Sequence, residues 1–365
     1  MTAPEPVRLV SLLSTSCRAL QDSCSTIYIH RRSKMGCRRK GLGLWLVAGS
    51  VFPLAAMSSN GVVEVYPKRP ITLVVGFPPG GGADVVARQL AGQMTIDLGQ
   101  NVILAYRPGA AGNIGAAAVA RSPADGYTVY LGVRPAALHK SLFKGIDYDF
   151  AKDLVPIGMV ARVPYVLLMG KHVAATSLQD AFAQARARPD AFTCASPGLG
   201  STNHLLCEDL KEKAALPWAH VPYKGEAAAM IDLIGGRADF AVASVPGALS
   251  YIAADNVRPM AVFAENRVSA IAAVPRMEEH GYGGIDAHGW CAIMAPAGTP
   301  SYAISRLNRA INAAVSNVEV RKKLVRLGYV MPGADNTPEA LEKFLVEDTA
   351  RWTEILAQWQ IKGLQ

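Results

Sequence analysis

The chain has 365 residues, half of them apolar, and a formal net charge of +8. This length and apolar content suffice for two domains with an extensive core, which excludes overall disorder. The charge is concentrated in residues 1–57, which hold eight Lys/Arg and two acidic residues and leave the rest of the chain at +2. A near-neutral body gives no sign of a phosphate-binding surface, so we expect no nucleic-acid partner.

The N-terminal segment has the pattern of an export signal, so 1–57 is predicted to be a leader. An apolar run at 41–56 follows a basic triplet at 38–40 and precedes a small-x-small cleavage pattern at 56–58. The run is shorter than the ~20 apolar residues of a spanning helix and contains Pro53, which favours cleavage near Ser58 over a membrane anchor. A periplasmic location follows. Met35 is a plausible true start, and the arginine pair of the triplet permits a twin-arginine route.

Three of the six cysteines, Cys194, Cys207 and Cys291, follow the leader. An odd number cannot all pair within the chain, and the spacing shows neither CxxC nor a metal-ligand cluster. We therefore expect small buried apolar residues and no metal or other cofactor. A Cys194–Cys207 bridge is the alternative in an oxidising compartment.

Beyond a polar joint at 58–70, short β-branched runs alternate with helical stretches. This order is typical of a parallel sheet with covering helices. The first set is expected to have strands at 71–75, 101–106 and 127–133 and helices at 83–98 and about 113–121.

Two adjoining strands, at 155–160 and 165–169, precede a second alternating set. The second set is expected to have helices at 177–187, 202–215 and 226–234 and strands at 191–196, 219–223, 239–244 and 258–264. The chain ends in a long helix with Thr337 as its N-cap, Pro338 at its first position and an apolar stripe that reaches Trp359.

Two α/β sets joined by bare β connections predict an α/β protein of two lobes with a ligand cleft between them. The first lobe is expected to comprise 66–164 and 265–365, and the second lobe 165–264. Ligands of open α/β sheets bind beyond the carboxyl ends of the strands, so the strand-to-helix loops should line the cleft.

The first such loop, at 76–84, reads GFPPGGGAD. Gly80 and Gly81 lie where backbone N–H groups at a helix N-terminus suit a carboxylate or phosphate. Asp84 either caps the helix or contacts the ligand. The glycine spacing fits neither a dinucleotide fingerprint nor a phosphate-loop NTPase, which argues against an enzyme.

The second loop, at 196–204, reads SPGLGSTNH and again joins a strand to a helix. Ser201 or Thr202 can cap the helix and also offer a hydroxyl to an anion. Ser201 and His204 lie three residues apart, as a nucleophile and its base could, but the chain lacks a Gly-x-Ser-x-Gly elbow and an evident third triad partner. We favour a His204 that positions the loop, with Ser196 and Gly200 as further site candidates.

Two more glycine-containing loops, at 107–115 and 221–225, also follow strands. Their glycines are explained best by the backbone needs of turns. These loops are therefore not assigned to the ligand.

Several motifs in a fixed order resemble one family far more specifically than any single motif does. The order runs GFPPGGGADVVAR, YRPGAAGNIG, SPADGYT, SPGLGSTNHL, HVPYKG, DLIGGRADF and APAGTP. From about Tyr66 to the C-terminus, the chain is similar to the substrate-binding proteins of tripartite tricarboxylate transporters, or Bug proteins.

The resemblance implies a two-lobed type II periplasmic-binding-protein fold. It also implies that backbone amides, hydroxyls and ordered waters hold a small organic carboxylate, namely a dicarboxylate, a tricarboxylate or an acidic amino acid. It carries ligand-binding roles to the first loop from Phe77 to Asp84 and to the second loop from Gly198 to His204.

The chain departs from the family pattern at two places. Segment 133–139 reads VRPAALH where relatives commonly place small hydroxyl residues, and Ser244 stands near a position where they often have an acidic residue. Arg134 is a candidate for gripping a second carboxylate bidentately in the cleft. The alternative is a solvated arginine at the rim of the loop.

The combined interpretation is an exported binding protein, not an enzyme. It captures a small carboxylate by hinge closure of two lobes and delivers it to a membrane permease. We expect a monomer. A component that presents its ligand to a membrane sensor is the alternative, and an exported hydrolase is less favoured.

Overall fold

A computed structural model describes residues 66–189, 191–284 and 288–358, which belong to one compact unit. The predicted leader with its cleavage pattern, and Trp359 of the predicted apolar stripe, lie outside the described residues. Among the helices of the described part, none is both long and apolar enough to cross a membrane.

The first of two five-stranded sheets has the strand order β2-β1-β3-β10-β4. Strands β1 and β2 pair in parallel, as do β1 and β3, whereas β10 is antiparallel to both β3 and β4. Its strands are β1 (Ile71–Val75), β2 (Val102–Tyr106), β3 (Thr128–Val133), β4 (Leu154–Val163) and β10 (Gly289–Pro296).

The second sheet repeats this arrangement with the order β7-β6-β8-β5-β9. Strand β6 is parallel to β7 and β8, and β5 is antiparallel to β8 and β9. Its strands are β5 (Tyr165–Gly170), β6 (Thr193–Ser196), β7 (Ala219–Pro222), β8 (Phe240–Ser244) and β9 (Val257–Phe263). We call each sheet with its packed helices the first and the second lobe.

Twelve α-helices occur in the described residues, together with three short 3-10 turns. They are α1 (Gly82–Leu98), α2 (Asn113–Ala120), α3 (Arg134–Ala137), α4 (His139–Leu142), α5 (Phe150–Asp153), α6 (Leu178–Ala187), α7 (Thr202–Lys213), α8 (Glu226–Ile234), α9 (Val245–Ala253), α10 (Ser301–Ser316), α11 (Val318–Arg326) and α12 (Pro338–Gln358).

The final helix α12 packs against the cores of both lobes. Leu341 and Leu345 belong to a buried cluster of the first lobe, whereas Trp352 and Leu356 belong to the main buried cluster of the second lobe. Thr337 caps this helix as predicted, since its Oγ1 accepts from the Ala340 amide at 3.1 Å. Helix α12 therefore connects the lobes by burial of apolar side chains on two of its segments.

The predicted elements lie close to the observed ones, and helix α8 has the predicted bounds. Helix α7 ends at Lys213 rather than at residue 215, because Ala215 adopts a positive φ of 48° that a continuing helix cannot use. The short helices between β3 and β4 were not predicted. At four residues each, about one turn, they show too little periodicity to be recognised from sequence.

Candidate ligand-binding site

A cavity of about 60 Å³ lies where the strand-to-helix loops of the two lobes face each other. A neighbouring cavity of about 510 Å³ shares Phe77, Pro78 and Pro197 with it, so the two continue into one cleft. The smaller cavity is lined by Phe77, Pro78, Gly81, Gly82, Ala83, Val133, Arg134, Pro135, Val163, Tyr165, Pro197, Ser201, Thr202, Asn203, Glu226, Ser244, Gly289, Trp290 and Cys291.

The glycine loop of the first lobe offers backbone rather than side chains to this cavity. Gly81 is the N-cap of α1 and lines the cavity with Phe77. Gly80 lies behind them with a φ of 100°, in the left-handed region that glycine adopts without strain. The N-terminus of α1 therefore faces the cleft, where its Gly82 amide donates to Glu226 of the second lobe.

Asp84 holds this loop from behind instead of lining the cavity. One of its carboxylate oxygens accepts from the Gly80 amide at 2.9 Å, and the other accepts from Arg88 Nε at 2.8 Å and from the Tyr106 hydroxyl at 2.5 Å. Because both oxygens have partners and the residue is buried, the structural alternative fits Asp84 better than a ligand contact.

The second loop presents hydroxyl groups at the N-terminus of α7. Ser201 is the N-cap, as predicted: its Oγ accepts from the His204 amide at 3.2 Å and donates to the Gly198 carbonyl at 2.7 Å. Ser201 lines the cavity together with Thr202 and Asn203. A side-chain hydrogen bond from Thr202 also links this loop to the buried hydroxyl of Tyr165.

Two neutral histidines support the second loop on its far side. His204 Nδ1 accepts from the Gly200 amide at 3.1 Å, and His220 Nε2 lies 2.7 Å from Ser196 Oγ. Burial lowers the pKa of His204 to about 4, and burial together with the nearby His204 lowers the pKa of His220 to about 3. Ser196, Gly200 and His204 thus position the loop without lining the cavity.

Ser201 and His204, which the sequence disfavours as a nucleophile and its base, do not form such a pair. The Ser201 hydroxyl uses its proton on the Gly198 carbonyl, and the imidazole Nδ1 of His204 is occupied by the Gly200 amide. Nucleophilic activation needs a hydrogen bond between the serine hydroxyl and the base. The local geometry therefore supports loop positioning.

His204, Glu208 and His220 bring candidate metal-ligand atoms within 4.8 Å of one another. A metal at Nε2 of His204 would require the ring proton on Nδ1, yet Nδ1 accepts a hydrogen bond from the Gly200 amide. Burial raises the pKa of the Glu208 carboxyl, which also disfavours the ionised form that a metal binds. The three residues fit a metal poorly.

Arg134 requires a correction. Its guanidinium is 2% exposed, so it is not a solvated residue at the rim. Nor can it grip a ligand bidentately: Nε and one terminal nitrogen each donate to Asp348 of α12 at 2.9 Å, and that nitrogen also donates to the His288 carbonyl. Arg134 still lines the cavity, and its Nη1 has no hydrogen-bond partner among the described residues.

Sequence reasoning missed Glu226, the first residue of α8. It is half-buried, and its carboxylate accepts from the Ser244 amide at 2.7 Å and from the Ser244 hydroxyl at 2.9 and 3.0 Å. Burial raises the pKa of Glu226 to about 7, against the lowering effect of these hydrogen bonds and of the Gly82 amide. The sequence did contain a signal for this residue, namely a carboxylate directly after the 221–225 loop. It was missed because that loop was explained by turn geometry alone.

A disulfide joins Cys194 in β6 to Cys207 in α7, on either side of the second loop. For Cys194 and Cys207 the alternative prediction of a disulfide is therefore correct. Cys291 is free and buried, as expected for a small apolar residue. The bridge fixes the strand and the helix between which the loop is suspended, and so limits how far Ser201 can move.

The fold and the cleft together define a two-lobed solute-binding protein of the type II periplasmic-binding-protein class. Residues 86–361 match the family described as the tripartite tricarboxylate transporter family receptor. BugT of Bordetella pertussis is 37% identical over 317 residues, or 86% of this chain and 97% of BugT. The chain belongs to the tripartite tricarboxylate transporter receptor family, which confirms the resemblance seen in its motifs.

Solved structures agree with this assignment. The Rpa4515 protein of R. palustris with adipate has a TM-score of 0.79 and 32% identity, covering 82% of this chain and 100% of that one. MatC from Rhodopseudomonas palustris with bound malate has a TM-score of 0.76 and 28% identity, covering 80% and 100%. The periplasmic binding protein BugD has a TM-score of 0.79 at 30% identity, covering 82% and 100%. The predicted fold is confirmed, and the family is one of solute-binding receptors and not of enzymes.

Proposed function

We propose that this protein binds a small organic carboxylate between its two lobes and delivers it to a membrane permease. The observation that carries the proposal is the convergence of two helix N-termini on one cavity, α1 from the first lobe and α7 from the second. Unpaired amides and the helix dipole favour an anion there. The relatives solved with adipate and with malate support a carboxylate as that anion.

The ligand contacts follow from the cavity lining. The backbone amides at the starts of α1 and α7 and Nη1 of Arg134 are the donors, whereas Asp84, Ser196, Ser201 and His204 act by holding the loops. A ligand that bridges donors of both lobes favours the closed arrangement, which is the form a permease would recognise.

Export to the periplasm is part of the proposal. It is supported by the leader pattern and by the Cys194–Cys207 disulfide, because such bridges persist in oxidising compartments. We expect a monomeric mature chain that begins near Ser58. Cell fractionation tests the location, and N-terminal sequencing tests where the mature chain begins. A chain retained in the cytoplasm with its leader intact would contradict export.

Thermal unfolding of the exported chain against a panel of mono-, di- and tricarboxylates, acidic amino acids and neutral controls tests the binding function. A ligand at about 100 times its dissociation constant stabilises the folded state by about 2.7 kcal/mol. We expect a selective rise of the melting temperature with one class of acid. Absence of any rise, after removal of ligand retained during purification, would contradict carboxylate binding.

A further inference from the structure

Glu226 places a carboxylate of the protein itself among the anion-binding groups of the cleft. It accepts from the backbone and side chain of Ser244 at the N-terminus of α9, and it faces the Gly82 amide at the N-terminus of α1. The approach is close, since a Cβ built on Gly81 would lie 3.2 Å from Oε2 of Glu226. One part of the anion site is therefore already satisfied by an internal carboxylate.

A second charged residue of the cavity lining is a donor. Arg134 lines the cavity with a buried Nη1 that has no partner among the described residues. Arg134, Tyr165 and Glu226 all line the same cavity. The cavity therefore offers a guanidinium donor and a carboxylate acceptor.

Among the described residues that line the smaller cavity, no cation is left to neutralise a second carboxylate, whereas the exposed Lys224 lines only the adjoining cavity. Among the described lining residues the titratable groups are Arg134, Tyr165, Glu226 and Cys291. The positive charge of Arg134 is balanced by Asp348, whereas Glu226 has only neutral donors around it. A ligand carboxylate placed beside Glu226 would be a buried like charge, and two carboxylates in one site cannot both remain ionised without a large cost.

We propose that Glu226 determines ligand selectivity, so that the cleft prefers acids with one carboxylate and a hydrogen-bond donor at the other end over dicarboxylates. The inference rests on the proposed carboxylate-binding function. The ligand carboxylate lies toward Arg134, Ser201 and Thr202, and a hydroxyl, amide or ammonium group of the ligand donates to Glu226. The class is hydroxy acids, acid monoamides and amino acids that carry a single carboxylate, unlike the dicarboxylates adipate and malate of the solved relatives.

Matched acids of equal size separate charge from shape. We would measure dissociation constants of the exported chain by isothermal titration calorimetry at about pH 8, where Glu226 with its pKa of about 7 is ionised, for malonate and malonamate, and for succinate and succinamate. In the unmutated chain we expect each monoamide to bind about 10- to 100-fold more tightly than its diacid, the usual range for one hydrogen bond to a charged group plus an avoided like charge.

The variant Glu226→Gln removes the charge and keeps the shape. We expect it to bind the diacid at least about tenfold more tightly than the unmutated chain does, which would remove the preference for the monoamide. The matched control is Asp232→Asn on the same helix, because Asp232 pairs with Arg237 and does not line the cavity. The control should retain the preference of the unmutated chain.

The outcomes distinguish the two proposals. Equal affinity for diacid and monoamide in the unmutated chain overturns the role of Glu226 and leaves carboxylate binding intact, and this comparison needs no variant to fold. An unchanged preference in a folded Glu226→Gln protein also overturns the role. If none of the acids binds to the unmutated chain, carboxylate binding itself fails, and the role of Glu226 fails with it.

Discussion

The two lobes share one sheet arrangement but offer different chemistry to the cleft. In each sheet three mutually parallel strands are followed by one strand that is antiparallel to both of its neighbours, and then by an edge strand. The first lobe contributes backbone at Gly81 and Gly82 and the side chain of Arg134, which Asp348 balances, whereas the second lobe contributes the side chains of Ser201, Thr202 and Glu226. The difference teaches that backbone amides can provide general affinity for an anion while the side chains of one lobe discriminate among ligands.

The supports behind the two loops also differ. In the first lobe the carboxylate of Asp84, which pairs with Arg88, holds Gly80 by its amide. In the second lobe a disulfide and two neutral imidazoles do the same work for the 196–204 loop. The first loop is held through an ion pair, whereas the second loop is held by a covalent bond and neutral groups. We therefore expect substitutions in the two lobes to change stability through different interactions.

The largest effect is expected at the ion pair between Asp348 and Arg134, the residue that brings a positive charge to the cavity lining. Asp348→Ala removes the partner of the buried Arg134 and leaves its charge uncompensated, which costs about 3–5 kcal/mol of unfolding free energy. Urea unfolding measures the loss. The double variant Arg134→Met, Asp348→Ala should recover a large part of it, and a double variant as unstable as the single one would contradict the assignment.

The next effect concerns the second lobe alone. Replacing both Cys194 and Cys207 by serine removes the covalent support of the 196–204 loop, and closing a loop of this size contributes about 3 kcal/mol. The denaturation midpoint should fall accordingly. A reducing agent should lower the midpoint of the unmutated chain and leave that of the double variant unchanged; equal sensitivity of the two proteins would argue against the bridge.

A pH series measures how ionisation of Glu226 changes the free energy of unfolding. Burial raises the pKa of Glu226 from its ordinary 4.5 to about 7, so the folded state holds this proton more tightly than the unfolded state does. The contribution of Glu226 to stability is therefore full below pH 4.5 and is lost as the pH rises through about 7. The loss amounts to at most ~3 kcal/mol.

Urea unfolding of the unmutated chain and of Glu226→Gln across pH 4 to 8 measures this contribution. The stability of the unmutated chain relative to the variant should fall as the pH rises. A difference that is independent of pH would contradict a raised pKa for Glu226. The buried histidines have the opposite sign, because their lowered pKa values destabilise the fold as the pH falls below 6.5 toward about 4 and about 3.

The smallest effect tests whether the lobes must approach at the glycine loop. A Cβ on Gly82 would lie 2.7 Å from the Ser244 hydroxyl, so Gly82→Ala should obstruct closure at a cost of about 1–3 kcal/mol, or roughly 5- to 150-fold in affinity. Calorimetry with an acid found in the thermal panel measures it. Gly92→Ala on the same helix is the control, because no atom lies within 4 Å of its added Cβ. Equal affinities for the two variants would contradict closure at Gly82.

Much of the fold could be predicted from the chain because strands and helices follow local periodicity and capping. The strand at 71–75, the bounds of α8, the Ser201 cap and the Thr337 cap all depend on residues within a few positions of one another. The anion-directed loops were predictable for the same reason, since glycines and hydroxyls at a helix N-terminus expose amides wherever the helix lies.

The tertiary structure alone decided which charged groups face the ligand. Arg134 pairs with Asp348, which is 214 residues away, and Glu226 meets Ser244 and Gly82, which come from two other elements and from both lobes. The partner of a buried charge depends on how segments distant in sequence pack together. Neighbouring residues in the sequence do not determine that packing. The sequence by itself thus determined the elements and the anion-directed loops, whereas packing between the lobes and α12 decided where the charges of the cleft lie.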